Sequence, residues 1–311
     1  MPFRRPTSLA LSALAAASVV VLAACGSGSG GGSSALGNGL TSTPGPLRVV
    51  AGVNVWGDVA SQVGGALVSV TSVLDDPNKD PHEYQANVAN AAAIAHAALI
   101  IVNGAGYDDF MSRLLAASGR GRAAVLTVAS VVGVTGSDPN PHFWYSPAYA
   151  GEVATAIEAR LVQLRPSAAA TFRANLAAVL AGEATVTDVL TSIRSRYAGV
   201  GVAYTERVPG YLLADAGLRV VSPSSFARAI ENGDDPSPLA AASFDAVLAR
   251  HEARALLYNS QVTDPATGDL ETRARHDGVP IVGVGETLPA GEHLYTWQAA
   301  QARALLAALG G

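Results

Sequence analysis

From residue 47 onward, short runs rich in Val, Ile and Leu alternate with helical stretches, and the alternation comes in two blocks. In the first block, residues 47–53, 68–74, 99–103 and 123–128 read as strands, with helices predicted over 56–63, 86–97 and 107–117. In the second, 201–204, 219–221, 255–258 and 280–284 read as strands, and 209–216, 239–250, 269–276 and 295–309 as helices. The strand runs lack polar/apolar alternation, as expected when helices cover both faces of a sheet. A helix after each strand also implies crossover connections, which join parallel strands. The expected fold class is therefore α/β, with two lobes that each carry a mostly parallel sheet flanked by helices.

A long helical stretch, roughly 167–197, separates the blocks. Phe172, Leu176, Val179, Val186, Leu190, Ile193 and Tyr197 recur at three- and four-residue spacings, interrupted only at Glu183. Such spacing puts one apolar stripe on a helix, and thirty helical residues run about 45 Å at ~1.5 Å each. One long α-helix is expected to join the lobes, with Gly182 marking a bend.

Before residue 47 the composition changes. Arg4 and Arg5 precede an apolar run from Leu9 to Leu22 and the small residues Ala23 and Ala24, the layout of a secretory signal peptide. The run is short for a bilayer span. Leu22-Ala23-Ala24-Cys25 resembles a bacterial lipobox, in which the cysteine becomes the lipidated first residue. Gly, Ser, Thr, Pro and Asn dominate from Gly26 to Pro46, a composition that gives a flexible tether reaching roughly 25 Å. The expected division is signal peptide 1–24, lipidated Cys25 and tether 25–46, N-terminal lobe 47–165, linking helix 166–198 and C-terminal lobe 199–311. Without the signal, 18 basic residues face 25 acidic ones and the net charge moves from −5 to −7. That balance argues against a nucleic-acid partner. The single cysteine excludes a disulfide framework and any multi-cysteine zinc cluster. The 49% hydrophobic content excludes global disorder.

Two of the six histidines share a context. Asp80-Pro81-His82 and Asn140-Pro141-His142 each follow a strand, with a proline fixing the backbone before the imidazole. Glu206 and Glu286 stand at matching places in the second block, just beyond the strands ending at Tyr204 and Val284. Two imidazoles and two carboxylates make a workable shell for Zn²⁺ or Mn²⁺. The same positions suit exposed loop histidines, and each glutamate suits the positive end of the helix after it, so spacing alone leaves both readings open. His96, His251 and His276 read as helix-surface or helix-end residues. Trp56, Tyr84, Phe143, Trp144 and Tyr145 either line a cleft near the candidate ligands or pack beneath the loops.

Val53-Asn54-Val55-Trp56-Gly57-Asp58, Asp80-Pro81-His82-Glu83-Tyr84, Ala98-Leu99-Ile100-Ile101-Val102-Asn103-Gly104, Pro141-His142-Phe143-Trp144-Tyr145, Thr205-Glu206 and Glu286-Thr287-Leu288-Pro289 occur in one order. Together they resemble the metal-binding lipoproteins of bacterial zinc/manganese ABC importers, the cluster A-I or TroA-like substrate-binding family. The resemblance covers almost everything from Leu47 on. It implies that His82, His142 and Glu206 are metal ligands, with Glu286 as the fourth and Asp264 or the pair Glu292/His293 as lower-ranked alternatives. Asn140 stands where the family often has an acid, which would weaken support for His142. Ala98 stands where it has aspartate. No His-rich loop precedes His82, which leaves the choice between zinc and manganese open.

The implied function is capture of a divalent Zn²⁺ or Mn²⁺ ion between the lobes and its delivery to an ABC permease with a cytoplasmic ATPase. The protein would be a monomeric, non-enzymatic, extracytoplasmic lipoprotein, with adhesion as an associated role. An extracytoplasmic zinc hydrolase is the first alternative, although neither H-E-x-x-H nor G-x-S-x-G is present. A binder of a larger organic ligand such as a siderophore is the second.

Overall fold

Val49, Val50, Ala51 and Val53 are buried along the first strand, β1 (Leu47–Val53), because helices cover both faces of the sheet it centres. The computed structural model describes residues 45–76, 84, 87–119, 121, 124–262 and 264–310. The expected signal peptide, Cys25, nearly all of the tether and His82 lie outside the described residues. After β1 come α1 (Asn54–Gly64), β2 (Val68–Leu74), α2 (Val88–Ala95), β3 (Leu99–Val102), α3 (Asp109–Ser118), β4 (Val125–Thr127) and a one-turn α4 (Val128–Val131). The strands are all parallel in the order β2-β1-β3-β4, with Val49 opposite both Val70 and Leu99, and Ile100 opposite Val125.

Three helices follow. The first, α5 (Pro147–Leu164), is one that the sequence reading did not foresee. It starts on a proline, which suits the first helical position, and buries Ala150, Val153, Ala154, Ile157 and Leu161. Its buried face holds Ala and Gly151 among larger residues, so its periodic signal is faint. The expected linking helix is one helical run, Pro166–Tyr197, in which only Gly182, itself in helical conformation, separates α6 (Ala169–Ala181) from α7 (Glu183–Tyr197). The predicted stripe faces inward, with Phe172, Val179, Val186, Leu190 and Ile193 buried. A Cβ on Gly182 would lie 2.9 Å from the Tyr295 ring and 3.1 Å from the Val179 carbonyl oxygen, so a glycine lets the ring pack against the joint.

The second block repeats the first. It runs β5 (Gly201–Tyr204), α8 (Gly210–Asp215), β6 (Arg219–Val220), α9 (Ser224–Glu231), α10 (Pro238–Ala249), β7 (Leu256–Asn259), α11 (Pro265–His276), β8 (Ile281–Val284) and α12 (Leu294–Ala308). The order β6-β5-β7-β8 mirrors that of the first sheet, again fully parallel. Helix α9 was not expected. This is the α/β two-lobe class that the alternation implies. One apolar cluster runs from Val50 and Ile100 through Phe172 and Leu190 to Val282 and Leu305, so the lobes share a core. A smaller cluster, with Phe226 edge-on to Phe244 at 5.0 Å, belongs to the second lobe.

In open parallel sheets, ligands sit beyond the carboxyl ends of the strands, where the strand order reverses. Here that point falls between β1 and β3 in the first lobe and between β5 and β7 in the second. Asn54, Asn103, Glu206 and Asn259 occupy those four strand ends.

Candidate metal centre

His142 ends the loop after α4 and enters a single 3₁₀ turn, Phe143–Tyr145. Its side chain is fully buried. Asn140 Oδ1 accepts from the His142 backbone N–H at 3.1 Å and lies 2.7 Å from Nδ1. The Asn140 amide is oriented by its Nδ2, which donates to the Arg207 carbonyl at 2.8 Å. An amide oxygen only accepts, so Nδ1 donates to Asn140 and Nε2 is the ring nitrogen left to face a ligand. Nε2 lies 3.3 Å from Glu286 Oε2, a distance at which the two atoms share a proton or can both turn to one cation. Asn140 therefore keeps the orienting hydrogen bond expected from an acid, as a neutral acceptor. The imidazole is wedged edge-on between Tyr107 at 5.7 Å and Trp144 at 5.4 Å.

The loop is held from beneath. Asn103, beyond β3, accepts from Trp56 Nε1 at 2.9 Å and donates to the Pro141 carbonyl at 2.9 Å. Asp108 accepts from the Asn103 and Gly104 backbone N–H groups at 2.7 and 2.8 Å. A Cβ on Gly52 would lie 2.3 Å from Asp108 Oδ2, so the carboxylate needs a glycine on β1. Burial pushes the Asp108 carboxyl up to about 6, against the opposing pull of these hydrogen bonds. Trp56, Phe143, Trp144 and Tyr145 are all fully buried, which makes them packing beneath and beside the loop.

The two glutamates are also buried. The amide of Asn259, at the end of β7, reaches both: Nδ2 donates to Glu206 Oε2 at 3.2 Å and to Glu286 Oε1 at 2.6 Å. Among the described residues, no three His, Cys, Asp or Glu side chains form a ready-made ligand cluster. Instead His142 meets Glu286 directly, and Glu286 is linked to Glu206 through Asn259. The structure thus joins His142 to Glu286 directly and Glu206 to Glu286 through Asn259, without clustering all three, and His82 lies outside what it describes. The lower-ranked alternatives do not join them. Asp264 caps α11, accepting from Ala266 and Thr267 N–H at 2.7 and 3.2 Å. His293 is at the surface, 2.7 Å from Asp58. Asn259 is absent from the sequence reading, although a strand end extended by one residue would have exposed it.

Several contacts strap the site across the lobes. The Tyr145 hydroxyl lies 2.7 Å from the Gly285 carbonyl and 2.6 Å from Gln301 Oε1, and burial raises its pKa well above the ordinary tyrosine value. Asn54 pairs with both the N–H and the carbonyl of Leu288 at 2.8 Å each. Tyr211 donates to the Asn140 carbonyl at 2.8 Å. Arg207 bridges Asp138 at 3.0 Å and Glu231 at 2.6 Å. A cleft of about 440 Å³, lined by Tyr107, Asp138, His142, Arg207 and Glu231, opens onto the imidazole.

The family model described as zinc-uptake complex component A, periplasmic (ZnuA), matches residues 49–308. The chain belongs to this family. It is a family of extracytoplasmic substrate-binding proteins. The manganese-binding lipoprotein MntA of Halalkalibacterium halodurans is 28% identical over 138 residues, which is 43% of this chain and 45% of MntA. The chain therefore matches less than half the length of that relative. The fold is similar to the periplasmic zinc-binding protein TroA of Treponema pallidum, with a TM-score of 0.71 at 19% identity over 85% of this chain and 99% of that one. It is also similar to FpvC of Pseudomonas aeruginosa in complex with Mn²⁺, with a TM-score of 0.72 at 17% identity over 85% and 98% of the two chains. A ZnuA crystal structure gives 0.67 at 20% identity, over 85% and 98%. At these identities the likeness is one of fold.

Proposed function

We propose that the protein captures a divalent transition metal ion, Zn²⁺ or Mn²⁺, between its lobes and passes it to an ABC importer. The observation that carries this reading is the buried contact of His142 Nε2 with Glu286 Oε2 across the lobes, with buried Glu206 linked to Glu286 through Asn259. His142, Glu206 and Glu286 are the ligands, and His82 completes the set. The family's description as an uptake component supports delivery to a permease with a cytoplasmic ATPase. The signal-like segment and Cys25 support a lipid-anchored protein outside the cytoplasm, and membership of a substrate-binding family supports binding, by a monomer, in place of catalysis. Titration of the purified chain with Zn²⁺ and Mn²⁺, after metal analysis of protein isolated natively, tests the proposal. Tight one-to-one binding that disappears in His142→Ala is expected. No binding, or hydrolysis of ester or peptide probes lost with the same substitution, would replace capture by an organic-ligand or hydrolase reading.

A further inference from the structure

Beside the candidate ligands the lobes are also joined by charge. Arg207, the residue after Glu206, is fixed within its own lobe by Glu231 at the end of α9. Its Nε donates to Glu231 Oε2 at 2.7 Å, its Nη2 lies 2.6 Å from the same oxygen, and its backbone N–H donates to Glu231 Oε1. A guanidinium forked onto a carboxylate in this way is held in one orientation. The Arg207 side chain is 18% exposed and that of Glu231 5%, so the pair is a post that solvent barely reaches. The remaining nitrogen, Nη1, turns to the other lobe, where it donates to Asp138 Oδ1 at 3.0 Å and to the Asp138 carbonyl at 3.4 Å. The second oxygen of Asp138 lies 3.5 Å from Nη1 of Arg228 on α9. Asp138 of the first lobe thus sits in a notch between two arginines of the second.

Asp138 belongs to the loop that ends at His142. Two neutral contacts seat the rest of that loop on the segment after Glu206. Asn140 Nδ2 donates to the Arg207 carbonyl and the Tyr211 hydroxyl to the Asn140 carbonyl, both at 2.8 Å. Asp138, Arg207 and Glu231 also line the cleft that reaches His142. The Asp138 side chain is 48% exposed and His142 is buried, so the cleft leads from a half-exposed ion pair to a covered imidazole. From these observations we propose that Asp138 is a latch: held between Arg207 and Arg228, it keeps the His142 loop on the Glu206 loop and sets the rate at which a divalent cation enters and leaves. The proposal rests on capture of an ion at His142, Glu206 and Glu286, and adds a residue that touches no ion. A contact that must part for passage in either direction slows entry and exit alike, so it governs exchange and leaves equilibrium affinity unchanged. Salt screens exposed charges far more than buried ones, so added salt should loosen the latch.

The test times Zn²⁺ release from the loaded full chain after mixing with excess chelator, at low and high salt, beside equilibrium affinity from chelator competition. Asp138→Asn breaks the contact between lobes and spares the Arg207–Glu231 post. From the strength of partly exposed ion pairs, it should release Zn²⁺ about 5-fold faster than wild type. Its affinity should be unchanged, and Asp138→Glu should restore slow release. Release from the wild type should quicken with salt, and Asp138→Asn should lose most of that response. Release as slow as wild type in Asp138→Asn would overturn the proposal. So would an affinity that falls by the same factor as release rises, because Asp138 would then support the ligands and not the passage. Should the variant fail to fold, the wild-type salt response decides alone, and a release rate indifferent to salt overturns the latch. Failure of the underlying function looks different, because the wild-type chain would then hold no Zn²⁺ whose release could be timed.

Discussion

At the scale of single residues, the site is built from asparagines as much as from ligands. Asn54, Asn103, Asn140 and Asn259 each hold a loop or a ligand by donating and accepting at once. Asp108 holds its loop by accepting only, from the Asn103 and Gly104 N–H groups, at an energetic cost that depends on pH. Its folded pKa of about 6 lies above the ordinary aspartate value of 3.8, so between those values the folded chain keeps a proton that the unfolded chain has lost. Stability from this group is present below about 3.8 and is lost as pH rises through about 6. At ~1.36 kcal/mol per pH unit the loss is on the order of 3 kcal/mol. Asp108→Asn should therefore gain stability relative to the metal-free wild type as pH rises from 4 to 7, read from urea midpoints, and a constant difference would refute this. Tyr145→Phe should be destabilised by about 1–3 kcal/mol, because the single hydroxyl proton shared by Gln301 Oε1 and the Gly285 carbonyl is lost from a buried site. Chemical denaturation measures that as well. His142, Glu206 and Glu286 were legible as residues just beyond strands. Asn259 was not, and Tyr145 was legible only as an aromatic near the loops, since what each does lies in contacts between segments 27 and 140 residues apart.

At the scale of elements, the sequence carried the strands well. Continuous apolar runs leave a strong signal, and β1, β2 and β5 have the bounds that their sequence implies. Helices packed through small residues leave a weak one, which is why α5, with Ala150, Gly151 and Ala154 on its buried face, was missed. The glycine at position 182 of the linking helix answers to tertiary packing. Alanine in place of a mid-helix glycine ordinarily gains up to about 1 kcal/mol. Gly182→Ala should nevertheless lower the melting temperature, since its Cβ falls 2.9 Å from the Tyr295 ring and overpacking costs about 1–3 kcal/mol. A rise in melting temperature would show that the α12 ring moves aside freely.

At the scale of the whole molecule, the lobes share one apolar core and are tied together at the site by Asn54–Leu288, Tyr145–Gly285 and Arg207–Asp138. Such a body has little room for wide opening, so release would come from rearrangement of the ligand loops. X-ray scattering of metal-free and zinc-loaded protein should give the same radius of gyration within error, and a large compaction on binding would contradict that. The anchor is tested by fractionating cells: Cys25→Ser should move the protein from the membrane to the soluble fraction, and continued membrane association would remove the lipid from the account. The central claim is that one ion sits where the two lobes bring His142, Glu206 and Glu286 together. Diffraction from crystals of the zinc-loaded chain, collected at the zinc absorption edge, tests it most directly. The account predicts a single strong anomalous peak in contact with His142 Nε2 and both glutamates, and a peak confined to the surface pair Asp58 and His293, or none beside His142, would contradict it.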